Sequence, residues 1–177
     1  MIPAVAQALA QILTEGTSLQ GTEQIDFNPP SRELAGKPVL TIYCYSLRES
    51  QQAAYDISVN QSSEVIEIDH SLITPRWFDV SFLISAWDHT ALGEQWLLSE
   101  ALRALLCHCW LNGNQLPSET QGRQLPLVIS QTPEVEAVLL WQSLGLPLRP
   151  ALYVTVTIPM GAQSELPPQE QALKIAC

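Results

Sequence analysis

Residues 39–45, Val-Leu-Thr-Ile-Tyr-Cys-Tyr, form a β-branched and aromatic run that is apolar on both of its alternating faces. Side chains alternate sides along a strand, so this run is stable only inside a sheet covered on both faces. It predicts a central strand and, around it, a layered fold in which helices pack on a sheet.

The remaining strand signals fit that frame. Residues 75–87 carry Trp77, Phe78, Val80, Phe82, Leu83, Ile84 and Trp87, too β-rich for a helix and long for a strand, which predicts one long, twisted strand. Ile25 and Phe27 alternate with polar neighbours until Asn28-Pro29-Pro30 stops them, as in a short edge strand. Residues 125–129 are a short apolar strand in which Pro126 points to an edge or a strand start. In residues 151–158, Leu152, Val154, Val156 and Ile158 share one face. Residues 46–62 are polar and 65–68 resume a strand-like pattern, predicting a loosely packed hairpin arm.

Three segments have helical spacing. Pro3 suits a first turn, and Val5, Leu9, Ile12 and Leu13 recur at steps of three and four up to about Glu15. A second helix is predicted over 91–110, capped within Asp88-His89-Thr90, with Leu98, Ala101, Leu102, Leu105 and Cys109 in one arc of about 100°. Thr132-Pro133-Glu134 opens a third, whose stripe is Val135, Val138, Leu139 and Leu144 and whose end is Gly145. The fold class is therefore α/β in the broad sense, an α+β mixed sheet flanked by helices. One domain covers 1–159, and 160–177 form a proline-containing linker and an extended arm. In that arm Leu173, Ile175 and Cys177 alternate with Lys174 and Ala176, a pattern able to add to another sheet's edge.

Composition narrows the function. The net charge of −10 disfavours nucleic acid and anionic lipid as direct partners. No stretch is long and apolar enough for a membrane span, and the N-terminal run lacks the basic start of a signal peptide. Cys44, Cys107, Cys109 and Cys177 lack the spacing of a disulfide framework, which fits reduced thiols in a cytoplasm. Only 15% of residues are charged, against about 25% in an average domain.

Signals for chemistry are weak. Cys107-His108-Cys109 has metal-ligand residue types, but on a regular helix Cys107 and Cys109 diverge by about 160°, which predicts no shared metal and makes Cys109 a core residue. His70, His89 and His108 stand in no nucleophile or metal motif, and no phosphate-binding glycine loop occurs. The expectation is no enzyme, no metal and no cofactor. The alternative is a small-molecule-binding domain or enzyme on an α/β framework. Trp96 and Trp110 fall about 170° and about 130° from the centre of the core arc, so each marks either a partner interface or a second layer of the same domain.

The ordered set of segments resembles a known family. The opening Met1-Ile2-Pro3-Ala4-Val5, the Phe27-Asn28-Pro29-Pro30 stop, residues 41–49, the block from Pro75-Arg76 to Ala86-Trp87, and Gly145-Leu146-Pro147-Leu148-Arg149-Pro150 are similar to Pvc-type cap, or tail terminator, proteins of extracellular contractile injection systems, which are phage-tail-like particles. The block ending in Trp87 and the Leu-Arg-Pro turn are its most specific parts. The resemblance implies a tail-terminator-like fold, a homo-hexameric ring on the last layer of inner tube and sheath, and no catalytic residues to carry over. It implies as partners the tube protein, the sheath protein and a second cap paralogue where one coexists, with assembly in the cytoplasm and no membrane insertion. Arms in such caps can pair with sheath strands, a role with which Leu173, Lys174 and Ile175 are compatible.

Overall fold

The computed structural model describes residues 1–34, 36–50, 76–112, 124–130 and 135–160. Helix α1 (Ile2–Gly16) is followed by strands β1 (Ile25–Asp26), β2 (Val39–Glu49) and β3 (Arg76–Trp87). Helix α2 (Ala91–Leu106), strands β4 (Trp110–Asn112) and β5 (Gln124–Ser130), helix α3 (Ala137–Ser143) and strand β6 (Leu152–Met160) complete the order. The sheet runs β1-β2-β3-β6-β5-β4, with β1 parallel to β2 and every other pair antiparallel. It is the mixed α+β architecture that the two-faced strand requires.

Alternation along the strands assigns the layers. Leu40 and Ile42 of β2, Val80, Phe82, Ile84 and Ala86 of β3, and Val154, Val156 and Ile158 of β6 turn to one face, where Val5, Leu9 and Leu13 of α1 and Leu97, Ala101 and Leu105 of α2 bury them. Leu83 and Trp87 turn to the other face and pack with Leu140, Trp141 and Leu146. Buried hydroxyls between them are matched across strands: Thr41 Oγ1 lies 2.6 Å from Ser85 Oγ, and Ser81 Oγ 3.2 Å from Thr155 Oγ1. After Cys44 the β2 register slips by one residue, so Leu47 faces Val80 rather than continuing the Tyr43 side.

Local chemistry explains most boundaries. Thr90 Oγ1 accepts from Gly93 N at 3.0 Å and caps α2 inside the predicted cap region. Gly145, at φ +69°, ends α3, with Gly145 N donating to Gln142 O at 2.9 Å and Leu146 N to Trp141 O at 3.0 Å. Those two bonds form a Schellman cap, and the Leu146–Trp141 packing is its usual hydrophobic partner. Leu127 N donates to Cys109 O at 3.0 Å, so the ring nitrogen of Pro126 points to the β6 side, where the β5–β6 ladder stops.

Three expectations are corrected. The helix read over 91–110 ends at Leu106, so Trp110 belongs to edge strand β4 and Cys109 is exposed rather than core. No glycine or proline marks that stop: His108 N donates to Leu105 O at 2.9 Å, its Nδ1 donates to Ala104 O at 2.9 Å, and Leu111 is drawn into the core opposite Leu125. The buried face of α2 also centres on Leu97, Ala101, Ala104 and Leu105. In α3, which begins at Ala137, the buried residues are Leu140 and Trp141, while Val138 and Leu139 are exposed, because the packing on Leu83, Trp87 and Leu146 sets the phase. Finally, β2 continues through Ser46 to Glu49 and Ser50 is buried, so the polar arm cannot start at 46; the rest of it from residue 51, and Thr132, Pro133 and Glu134, lie outside the described residues.

The end of α1 approaches α2 closely, since a Cβ on Gly16 would stand 2.3 Å from that of Ala104. Gly16→Ala is expected to cost about 1–3 kcal/mol by overpacking. Gly145→Ala, which meets open space, should cost about 1 kcal/mol through backbone strain alone. Urea denaturation of the two variants checks both.

Candidate assembly surface

The side of α2 opposite its core carries Leu92, Trp96, Ser99, Arg103 and Leu106, steps of four and three that keep them within about 80° of arc. Leu92 is 77%, Trp96 67% and Leu106 63% exposed, so this face carries an apolar pair at its start and one leucine at its end, with Ser99 and Arg103 between them. Trp96 is held in place: its Nε1 donates to Glu100 Oε1 at 2.9 Å, and Glu100 Oε2 accepts from Ser18 N at 2.9 Å and Ser18 Oγ at 2.7 Å. Burial pushes the Glu100 carboxyl up, but the Ser18 and Trp96 bonds and the nearby Arg103 charge outweigh it and hold the group below its ordinary range. An exposed indole with a fixed orientation loses little entropy when a partner covers it.

Trp110 is half exposed on β4, so the two tryptophans singled out from the sequence lie on different elements. Leu173, Lys174 and Ile175 lie outside the described residues. The helical wheel puts Trp96 on the outer face correctly, but for Trp110 it assumes a helix that has already ended.

A second constellation ties the layers together. Arg149 stacks its guanidinium 4.2 Å from the Trp87 ring centroid and pairs with Glu94 Oε1 at 2.5 Å. Trp87 Nε1 in turn donates to Ser85 Oγ at 3.1 Å. Arg149 thus spans the end of the sheet, from the α3 face to the helix packed on the opposite face. The two most specific segments of the sequence resemblance, the block ending in Trp87 and the Leu-Arg-Pro turn, meet at this contact.

An apolar groove of about 380 Å³ lies beside β1 and the start of α1. Ile42, Cys44 and Phe82 line it with Ile2, Pro3 and Ala6, and Gln7 is its polar member. Phe27, 47% exposed, stands at its margin. Sequence reasoning missed this groove because its residues come from four separate segments, each of which reads as ordinary core or strand. Burial pushes the Cys44 thiol up, which leaves it an apolar wall. Among the described residues no three His, Cys, Asp or Glu side chains converge as a metal site. Cys107 and Cys109 are exposed, and among the described residues no helix is long and apolar enough to cross a membrane.

Residues 4–174 match the Pvc16 N-terminal domain family. Four chains of solved structures also match. One is the sheath/tube terminator of the PVC extracellular contractile injection system in its extended state, 22% identical, with a TM-score of 0.59 over 90% of this chain and 56% of that one. Another is the tube terminating cap of the anti-feeding prophage, 18% identical, with a TM-score of 0.60 over 91% of this chain and 55% of that one. This chain therefore spans little more than half the length of those two proteins. No curated protein matches.

Arg149→Ala should lower stability by about 2 kcal/mol, and Arg149→Lys should recover less than half of that because an ammonium cannot stack flat on the indole. Thermal unfolding reads both. For Glu100, whose folded value is depressed, the stabilisation is complete above the unfolded value near 4.3 and is lost as pH falls through the folded one. Glu100→Gln is expected to lose less than about 1 kcal/mol at pH 7 after solvent screening. The difference from the parent should close on acidification, as urea midpoints at pH 7 and pH 3 would record.

Proposed function

The chain belongs to the Pvc16 N-terminal domain family, and from that membership we propose that it is a structural cap of a phage-tail-like contractile injection particle. In this reading six copies form a ring on the last layer of inner tube and sheath at the distal end, bind both, and carry out no catalytic step. The observation that carries it is the likeness of nine-tenths of the chain to two terminator structures, on a fold whose α2 turns Leu92, Trp96 and Leu106 outward.

The physics of capping accounts for such a surface. A tube of stacked rings exposes an unsatisfied surface at its end, and a terminator must match that surface on one side while offering the next ring nothing on the other. Pinned Trp96, with Leu92 and Leu106, supplies the desolvated centre such a contact needs, and Trp110 supplies a second contact at the sheet edge. In this reading the domain, expected over 1–159, runs one residue further to Met160 at the end of β6, the residues after it are an arm, and Leu173, Lys174 and Ile175 are its strand-adding part. Assembly takes place in the cytoplasm, before the particle is complete. A second cap paralogue, where present, shares the sheath contact. The groove does not favour a small-molecule enzyme, because its lining offers a single polar side chain.

Particles from a strain lacking this protein should show tubes and sheaths of irregular length with open distal ends by electron microscopy. Normal length and normal closure would refute the reading. Trp96→Ser should leave the melting temperature within about 2 °C and weaken binding to inner-tube ends at least tenfold, as co-sedimentation with tubes would show.

A further inference from the structure

The groove beside α1 borders an unfilled stretch of sheet edge. β1 pairs with β2 only at Leu40 and Thr41, so among the described residues no strand covers the outer edge of β2 at residues 42–44. Ile42 and Cys44, two residues apart and on one side of the strand, turn their side chains into the groove there. An open edge beside apolar pockets is the geometry of strand addition, in which main-chain bonds give affinity and alternate side chains give selectivity.

The chain itself carries a matching segment. Residues 173–177 put Leu173, Ile175 and Cys177 on one face and Lys174 and Ala176 on the other. With Lys174 as its one charged side chain and no acidic one, this segment brings no side-chain repulsion to a chain of net charge −10. Its origin also bears on which groove it meets. β6 is antiparallel to β3, with Met160 opposite Arg76, so Phe82 at the groove lies about 20 Å back along β3 and the chain leaves β6 heading away from it. Residues 161–172 span at most about 40 Å, enough to reach a neighbour. A return to the same copy's groove needs the chain to reverse direction between β6 and Pro167-Pro168, whereas a neighbour's groove needs no reversal.

We propose that residues 173–177 of one copy add as a strand to residues 42–44 of a second copy, with Leu173 and Ile175 seated in its groove. The inference rests on the self-association argued above and names one of its contacts. Native cysteines report on it, since Cys44 lines the groove and Cys177 ends the segment.

The test uses the full chain with Cys107→Ser and Cys109→Ser, treated with a mild oxidant that takes the two electrons and two protons released as a disulfide forms. Two cysteines bridge only where their Cα atoms come within about 7 Å. The expected product is a Cys44–Cys177 bond between copies, seen as covalent multimers without reductant and as linked peptides by mass spectrometry. Leu173→Asp with Ile175→Asp should lower that yield at least tenfold and speed amide exchange at residues 42–44 at least tenfold, in a concentration-dependent way. That exchange response supports the docking even where the register keeps the sulfurs apart. A bond within one copy overturns the proposal, as does a double variant that loses sheath binding while exchange at 42–44 is unchanged. If the chain self-associates but neither bond nor exchange responds, this contact falls and the ring stands. A chain that stays monomeric with 42–44 freely exchanging defeats both.

Discussion

From Val80 to Trp87, β3 has no side in water, and the rest of the molecule is arranged around that fact. One face is covered by two helices of ordinary length, whereas among the described residues the other is covered by the seven residues of α3, the turn after them and Leu34. The cover is completed by that turn: the Schellman cap folds Leu146 back onto Trp141, and Arg149 lies across Trp87. The row of hydroxyls on that face needs little more, because Thr41 with Ser85 and Ser81 with Thr155 satisfy each other across the strands. A thin layer is sufficient where the polar groups beneath it are already paired.

Features encoded locally were legible in the sequence. The two-faced run at residues 39–45, the alternation from Leu152 to Ile158, the cap at Thr90 and the glycine after α3 all act within a few residues of themselves, and the structure has each where its pattern predicts. What escaped was set by distant partners. α2 stops at Leu106 because Leu111 is pulled into the core against Leu125, a pairing that no residue between 106 and 110 announces. Trp96 was recognisable by phase, but its anchoring through Glu100 to Ser18, 82 positions away in sequence, was not. The groove and the Trp87–Arg149 stack likewise join segments that are remote along the chain.

The low charge fraction finds a physical account in these surfaces. Trp96, Leu92 and Leu106 occupy helix positions that usually carry Lys or Glu, and the hydroxyl row replaces charge at strand positions on the second face. Of the charges that remain near the sheet, Arg149 and Glu94 neutralise each other inside the fold. The deficit is therefore distributed between outward apolar side chains and an inward clamp.

The brevity of β1 bears on how such a molecule avoids polymerising without limit. Long bare strand edges template further strands indefinitely, whereas here the two outermost strands are two and three residues long. β1 shields the start of β2 and, among the described residues, leaves beside it an interval of only a few residues at 42–44. Among the described residues, edges this short give a further sheet little to pair with, so edge-to-edge growth finds no long template.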